Sequence, residues 1–187
     1  MEKKLLLLLL ICAQISLAFE PWNKKQYIDC VDSSKQYILA ADVSMVNTTV
    51  GLFEVMGQVP TLIIEYSAKT SEIKSLSQAV QTIVRTLEQN YHVVPQVISI
   101  ASPGAVDVAE KTIQHPHLPW VLANSNDAKG IDAKAIQCAT GISNILLIND
   151  FQAGAYGIQH AAITTKTLQA GQAQETGTKA VVGAGNG

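Results

Sequence analysis

The 187-residue chain is short of aromatic residues (5%) and of charge (15%), and it has three cysteines in all. None of them stands in a C-x-x-C pair, which leaves redox dithiols and zinc knuckles without support. Nothing in the spacing of Cys30 and Cys138 says that they meet. Cys138 falls within an apolar helical pattern and is expected to be a small buried hydrophobe. An excess of one charge sign is also missing, since 13 Lys+Arg face 15 Asp+Glu for a formal net charge of −2. A nucleic-acid partner therefore gets no electrostatic footprint. Gly177, Thr178 and Lys179 lack the rest of a P-loop, so there is no Walker motif. His115-Pro116-His117, with His92 and His160, has a proline between two imidazoles and no flanking acid, which favours surface histidines over a metal site. Asn47-Thr48-Thr49 is a formal glycosylation sequon that matters only in a eukaryotic secretory route. There is no internal repeat. What is present is a hydrophobic fraction of 48%, ample for a core and too high for wholesale disorder.

Part of that fraction is concentrated at the start. Lys3 and Lys4 precede an apolar run over 5–13, and Ser16-Leu17-Ala18 is a small-x-small site, so residues 1–18 have the form of a secretory signal peptide. The run is short for a membrane span. A buried N-terminal helix or a misassigned start is the competing reading. Positions 19–36 are polar and weakly patterned and are expected to form a linker.

From 37 onward the periodicity becomes clear. Residues 37–43 read as a buried strand carrying an acid, Asp42, at its end, with 49–55 as hairpin partner and 61–66 as a third strand. Short connections make these three an antiparallel meander. Ile73, Leu76, Val80, Ile83, Val84 and Leu87 recur at helical spacing, predicting a helix over 71–90 capped by Ser71. A strand over 97–101 is broken by Pro103-Gly104. A helix over 131–140 ends at Gly141, followed by a strand over 145–148, a helix over 151–160 and a strand over 179–182. Antiparallel strands followed by alternating strands and helices predict a mixed-sheet α/β domain. A glycine-rich turn, Gly183-Ala184-Gly185-Asn186-Gly187, follows the last strand, where a chain normally enters another element; a larger architecture is expected.

Four segments carry the candidate chemistry: Asp42 to Thr48, Ser102-Pro103-Gly104 with Leu118-Pro119-Trp120, the run LINDFQAGAYGI from Leu147, and the terminal glycines. In this order they resemble the bacterial glucokinase family, sugar kinases of the actin-like ATPase superfamily, from about residue 37 to 187. The resemblance implies a ribonuclease-H-like, actin-like ATPase domain. Its expected sheet is mixed and five-stranded, three antiparallel strands followed by parallel βα units, flanked by helices. It further implies a domain over 37–187 that ends at the second phosphate loop, the family's larger C-terminal domain being absent.

By the same resemblance, Asp150 is the catalytic base that takes the proton of the glucose 6-hydroxyl as that oxygen attacks the γ-phosphate of ATP. Read from the residues alone, Asp150 is first a helix N-cap, and the resemblance brings the catalytic reading forward. Asn149 matches a residue that hydrogen-bonds sugar hydroxyls, Ser102 falls at a further sugar-binding position, and His117 stands at another, where the family usually has an Asn. Trp120 reads as local packing. Asp42 matches the acid near the nucleotide's Mg2+ and phosphates, an indirect metal role. Asn47, Thr48, Gly183, Gly185 and Gly187 match nucleotide-binding positions. The chain departs from the family at Ser44-Met45-Val46, where Gly-Gly-Thr would let backbone amides approach phosphate. Asn186 stands in place of a Thr.

Two functional readings follow. One is a glucokinase, using ATP, Mg2+ and glucose, with a homodimer formed through the domain absent here. The other is a truncated, inactive kinase-like binding module or a decayed fragment. The leader implies export, whereas the kinase reading implies the cytoplasm, where ATP is plentiful.

Overall fold

Burial alternates along residues 37–43, and that period of two builds the centre of the sheet. In the computed structural model, the described residues are 21–57, 59–114, 117–122 and 130–158. The expected leader at 1–18, the expected strand at 179–182, and Gly183, Gly185 and Gly187 lie outside them, as do His115 and His160.

The strands are β1 (Asn23–Gln26), β2 (Tyr37–Val43), β3 (Asn47–Met56), β4 (Val59–Lys69), β5 (Val97–Ser102), β6 (Ala105–Asp107), β7 (Thr112–Gln114), β8 (Ile131–Asp132) and β9 (Ile145–Asn149). The helices are α1 (Leu76–Tyr91), the single turn α2 (Pro119–Leu122), α3 (Ala133–Thr140) and α4 (Asp150–Ile158). The main sheet has the order β1-β4-β3-β2-β5-β9. Its first four strands pair antiparallel, and for β2, β3 and β4 the short connections predict this. β5 and β9 add in parallel, each reached through a helical crossover. A small antiparallel sheet, β6-β7-β8, is inserted between β5 and α3.

Among the described residues the sheet therefore has six strands, one more than the five expected. The extra strand, β1, lies within the segment expected to be a linker and pairs along the edge of β4, Asn23 opposite Ser67 and Gln26 opposite Ile64. Its polar side chains, exposed except for the partly buried Gln26, hide the pattern of an edge strand. Trp22 just before it is 8% exposed and belongs to the core. Tyr91 at the end of α1 ties the strand down, accepting from Lys24 Nζ and donating to Gln26 Oε1 at 3.0 Å.

α1 buries Leu76, Val80, Ile83, Val84 and Leu87 in one core cluster with Leu39, Ile98 and Ile100 of the sheet. Each such side chain contributes about 1.5–3 kcal/mol relative to exposure. The helix starts later than the periodicity suggests. Ser75, not Ser71, is the N-cap, its hydroxyl accepting from Gln78 N at 3.3 Å, while 70–72 form a 3-10 turn. α3 likewise starts at Ala133, because Ile131 and Asp132 pair with β7 and Asp132 caps the helix, accepting from Lys134 N at 2.7 Å. Gly141 ends it at φ +76°, a left-handed cap. Cys138 is exposed, contrary to expectation. Ile136 faces the core, and two residues further on the helix has turned about 200°, away from it.

Candidate active site

Parallel strands bring their carboxyl ends to one edge, the usual ligand side of an open α/β sheet. Asp42 on β2 stands in register with Ala101 on β5, and Ala101 with Ile148 on β9. One row further, Ser102 is opposite Asn149, and Asp150 begins α4 directly after it. Asp42 and the Asn149-Asp150 pair thus flank β5, their strands about 10 Å apart by the ordinary inter-strand spacing. Four sequence-predicted residues, Asp42, Ser102, Asn149 and Asp150, converge here.

The β9–α4 junction has a definite hydrogen-bond pattern. Asn149 Oδ1 accepts from Phe151 N at 3.0 Å and from Gln152 N at 3.3 Å, making Asn149 the cap of α4. Its Nδ2 donates across to the Gly104 carbonyl at 3.1 Å, tying the turn after β5 to the helix start. Asp150 Oδ1 shares the Phe151 N–H at 2.9 Å, and no described partner uses Oδ2. The capping role that Asp150 alone offered in the sequence is thus held mainly by its neighbour. An open cavity of about 630 Å³ adjoins this junction, lined by Gly104, Val106, Ile148, Asn149, Gln152 and Tyr156 among others.

Asp42 reaches solvent, yet the strand ends packed round it desolvate its carboxyl and raise its pKa above the usual carboxylate range. The negative charge of Asp150 adds to the same shift. The two acids therefore share one electrostatic environment. Hard carboxylate oxygens suit Mg2+, which keeps several waters and is held by one or two carboxylates together with substrate phosphates. Asp42 fits that indirect role. The described residues contain no cluster of three or more His, Cys, Asp or Glu able to hold a metal by themselves.

The β2–β3 turn is built without glycine. Ser44 Oγ donates to Asn47 O at 2.8 Å and accepts from Asn47 N at 3.2 Å, bracketing the turn. Met45 and Val46 occupy its corner, 54% and 62% exposed, and neither has a positive φ. The side-chain bracket makes the family's glycine conformations unnecessary here. Asn47 is exposed in the turn. Thr48 differs from expectation, being fully buried. Thr70 Oγ1 gives its proton to Ser44 O at 2.7 Å, so Thr48 Oγ1 must donate to Thr70 Oγ1 at 2.9 Å. Its hydroxyl thus supports the turn from inside. Thr70 was not singled out in the sequence; only its position after a strand hinted at it.

Ser102 also faces inward, fully buried, with its Oγ unpaired. It lies under the site and does not line its surface. His117 is exposed two residues before α2. Trp120 is buried, its Nε1 donating to Gly130 O at 3.2 Å, which makes it a packing residue as expected.

Solved structures of similar fold include glucokinases. A glucokinase from an Antarctic psychrotroph superposes with a TM-score of 0.55 at 20% identity, covering 75% of this chain and 40% of its own. A glucokinase from Balamuthia mandrillaris in complex with glucose gives 0.54 at 15% identity, covering 68% of this chain and 33% of its own. The chain thus spans well under half the length of these proteins, and at such identities the likeness is one of fold alone. A search of curated proteins returns no match. The glucokinase family model matches residues 39–187, most of the sequence, and the chain therefore belongs to the glucokinase family.

Proposed function

We propose that the protein phosphorylates a sugar, transferring the γ-phosphoryl group of ATP to the 6-hydroxyl of glucose with Asp150 as general base. As O6 attacks phosphorus, its proton passes to the Asp150 carboxylate and ADP leaves with the bridging oxygen's electrons. One observation carries the reading. Asn149 caps α4, so Asp150 keeps Oδ2 for a ligand at the carboxyl ends of the parallel strands. Asn149 supplies an amide donor beside the acceptor hydroxyl. Asp42, with Asn47 and the glycines at 183, 185 and 187, would hold the nucleotide side. A Mg2+ ion arriving with ATP at Asp42 would neutralise phosphate charge.

A second reading is favoured by Met45 and Val46. Apolar bulk at the corner beside Asp42 keeps backbone amides from close approach to a phosphate. On that reading the chain binds sugar without turning it over, and export through the leader at 1–18 suits it, ATP being scarce outside the cytoplasm. Isothermal titration of the folded chain with glucose and with Mg-ATP separates the two. The kinase reading expects both to bind; the module reading expects glucose alone. Heat from neither ligand would overturn both.

A further inference from the structure

We propose that Gly104 is a positioning residue for the Asn149 amide, an inference that rests on the sugar-kinase reading for what that amide meets. The orientation of the amide is forced. Its oxygen accepts the Phe151 and Gln152 N–H groups at 3.0 and 3.3 Å, and a flipped amide would set an NH2 group against two donors. The nitrogen therefore points at the Gly104 carbonyl, 3.1 Å away. That hydrogen bond occupies one of its two protons. The other has no described partner and is carried by a residue that lines the open cavity. An N–H held there suits an acceptor lone pair, such as the oxygen of a sugar hydroxyl.

Only glycine delivers the carbonyl to this point. Gly104 has φ +121°, and a Cβ on it would stand 2.5 Å from the Gln114 carbonyl oxygen and 3.1 Å from Ile113 Cγ2. Backbone does not yield as a flexible side-chain tip would, so any other residue shifts the turn and carries the acceptor away from Asn149. Gly104 need not touch the ligand. It fixes which way the group that does touch it is turned, and couples the β5–β6 turn to the start of α4.

The test uses the full chain labelled with 15N-asparagine, the Asn149 side-chain signals being assigned by their loss in Asn149→Asp. Without sugar, one Asn149 Nδ2 proton should exchange slowly with water and the other rapidly. Gly104→Ala should abolish the slow proton while Phe151 and Gln152 amides stay protected, and should weaken glucose binding about tenfold, the loss of one directed hydrogen bond. Two fast protons in the parent, or an unchanged slow proton and glucose affinity in Gly104→Ala, would overturn the proposal. Should Gly104→Ala not fold, Asn149→Asp carries the test. Its carboxylate keeps the cap and repels the Gly104 carbonyl, so exchange at Ala105 N–H should rise while Phe151 and Gln152 stay protected. No change at Ala105 would contradict the proposal. The sugar-free exchange decides the coupling, whereas glucose binding by the parent decides the sugar-site reading on which it rests, so either can fail by itself.

Discussion

At Asp42 charge and stability are linked. Burial first, and the Asp150 charge second, raise its pKa in the folded chain. The folded state thus holds the proton more firmly than the unfolded state does. Stability from this group is fully present below the unfolded pKa of about 3.9 and is lost as pH rises through the folded value. Asp42→Asn should accordingly raise the melting temperature at pH 7 by about 1–2 °C, a modest gain because the group is partly solvated. Below pH 3.5 the gain should vanish. A melting series from pH 3 to 7 checks both the sign and the window. Asp42, Asn149 and Asp150 were legible in the sequence as polar residues ending apolar strand patterns. The inward turn of Thr48 and Ser102 was not, because strand periodicity assigns alternate faces without saying which face the helices cover.

At the scale of the element, helix starts are decided by which side chain reaches an orphan backbone N–H. The apolar period of α1 extends back to Ile73, but Ser75 supplies the hydroxyl that Gln78 N needs. Ser75→Ala should cost about 1 kcal/mol in urea unfolding, whereas Ser71→Ala, in the 3-10 turn, should stay within about 0.5 kcal/mol. Equal losses would remove the cap assignment. The sequence shows the apolar stripe and the candidate serines; it cannot rank two serines four residues apart, since either starts a turn of helix. Cys138 follows the same logic in reverse. Its apolar neighbours suggest burial, but Asp132 sets the start of α3 and leaves Ile136 facing inward.

For the whole molecule, the central strands and both crossovers were legible because buried parallel strands read as apolar runs with turn residues between them. The edge strand β1 was not. Three of its four side chains are exposed, and its place depends on pairing with β4, forty residues away in sequence. Trp22 makes that edge part of the core, and Trp22→Ala should cost about 3 kcal/mol in denaturant unfolding. A loss below 0.5 kcal/mol would show β1 to be an accessory. The small β6-β7-β8 sheet escaped notice for a related reason, its strands being two or three residues long.

All of these scales meet at the end of β9, where the sheet delivers Asp150 beside Asn149 and across β5 from Asp42. The most direct measurement is a coupled assay of glucose 6-phosphate formation from glucose and Mg-ATP, on the parent chain and on Asp150→Asn. Turnover by the parent that falls by about 10²–10⁴-fold in Asp150→Asn, with the folded-state circular dichroism of both unchanged, is the predicted result. No turnover by a folded parent, or equal turnover by both proteins, would contradict the assignment of Asp150 as the base of a sugar kinase.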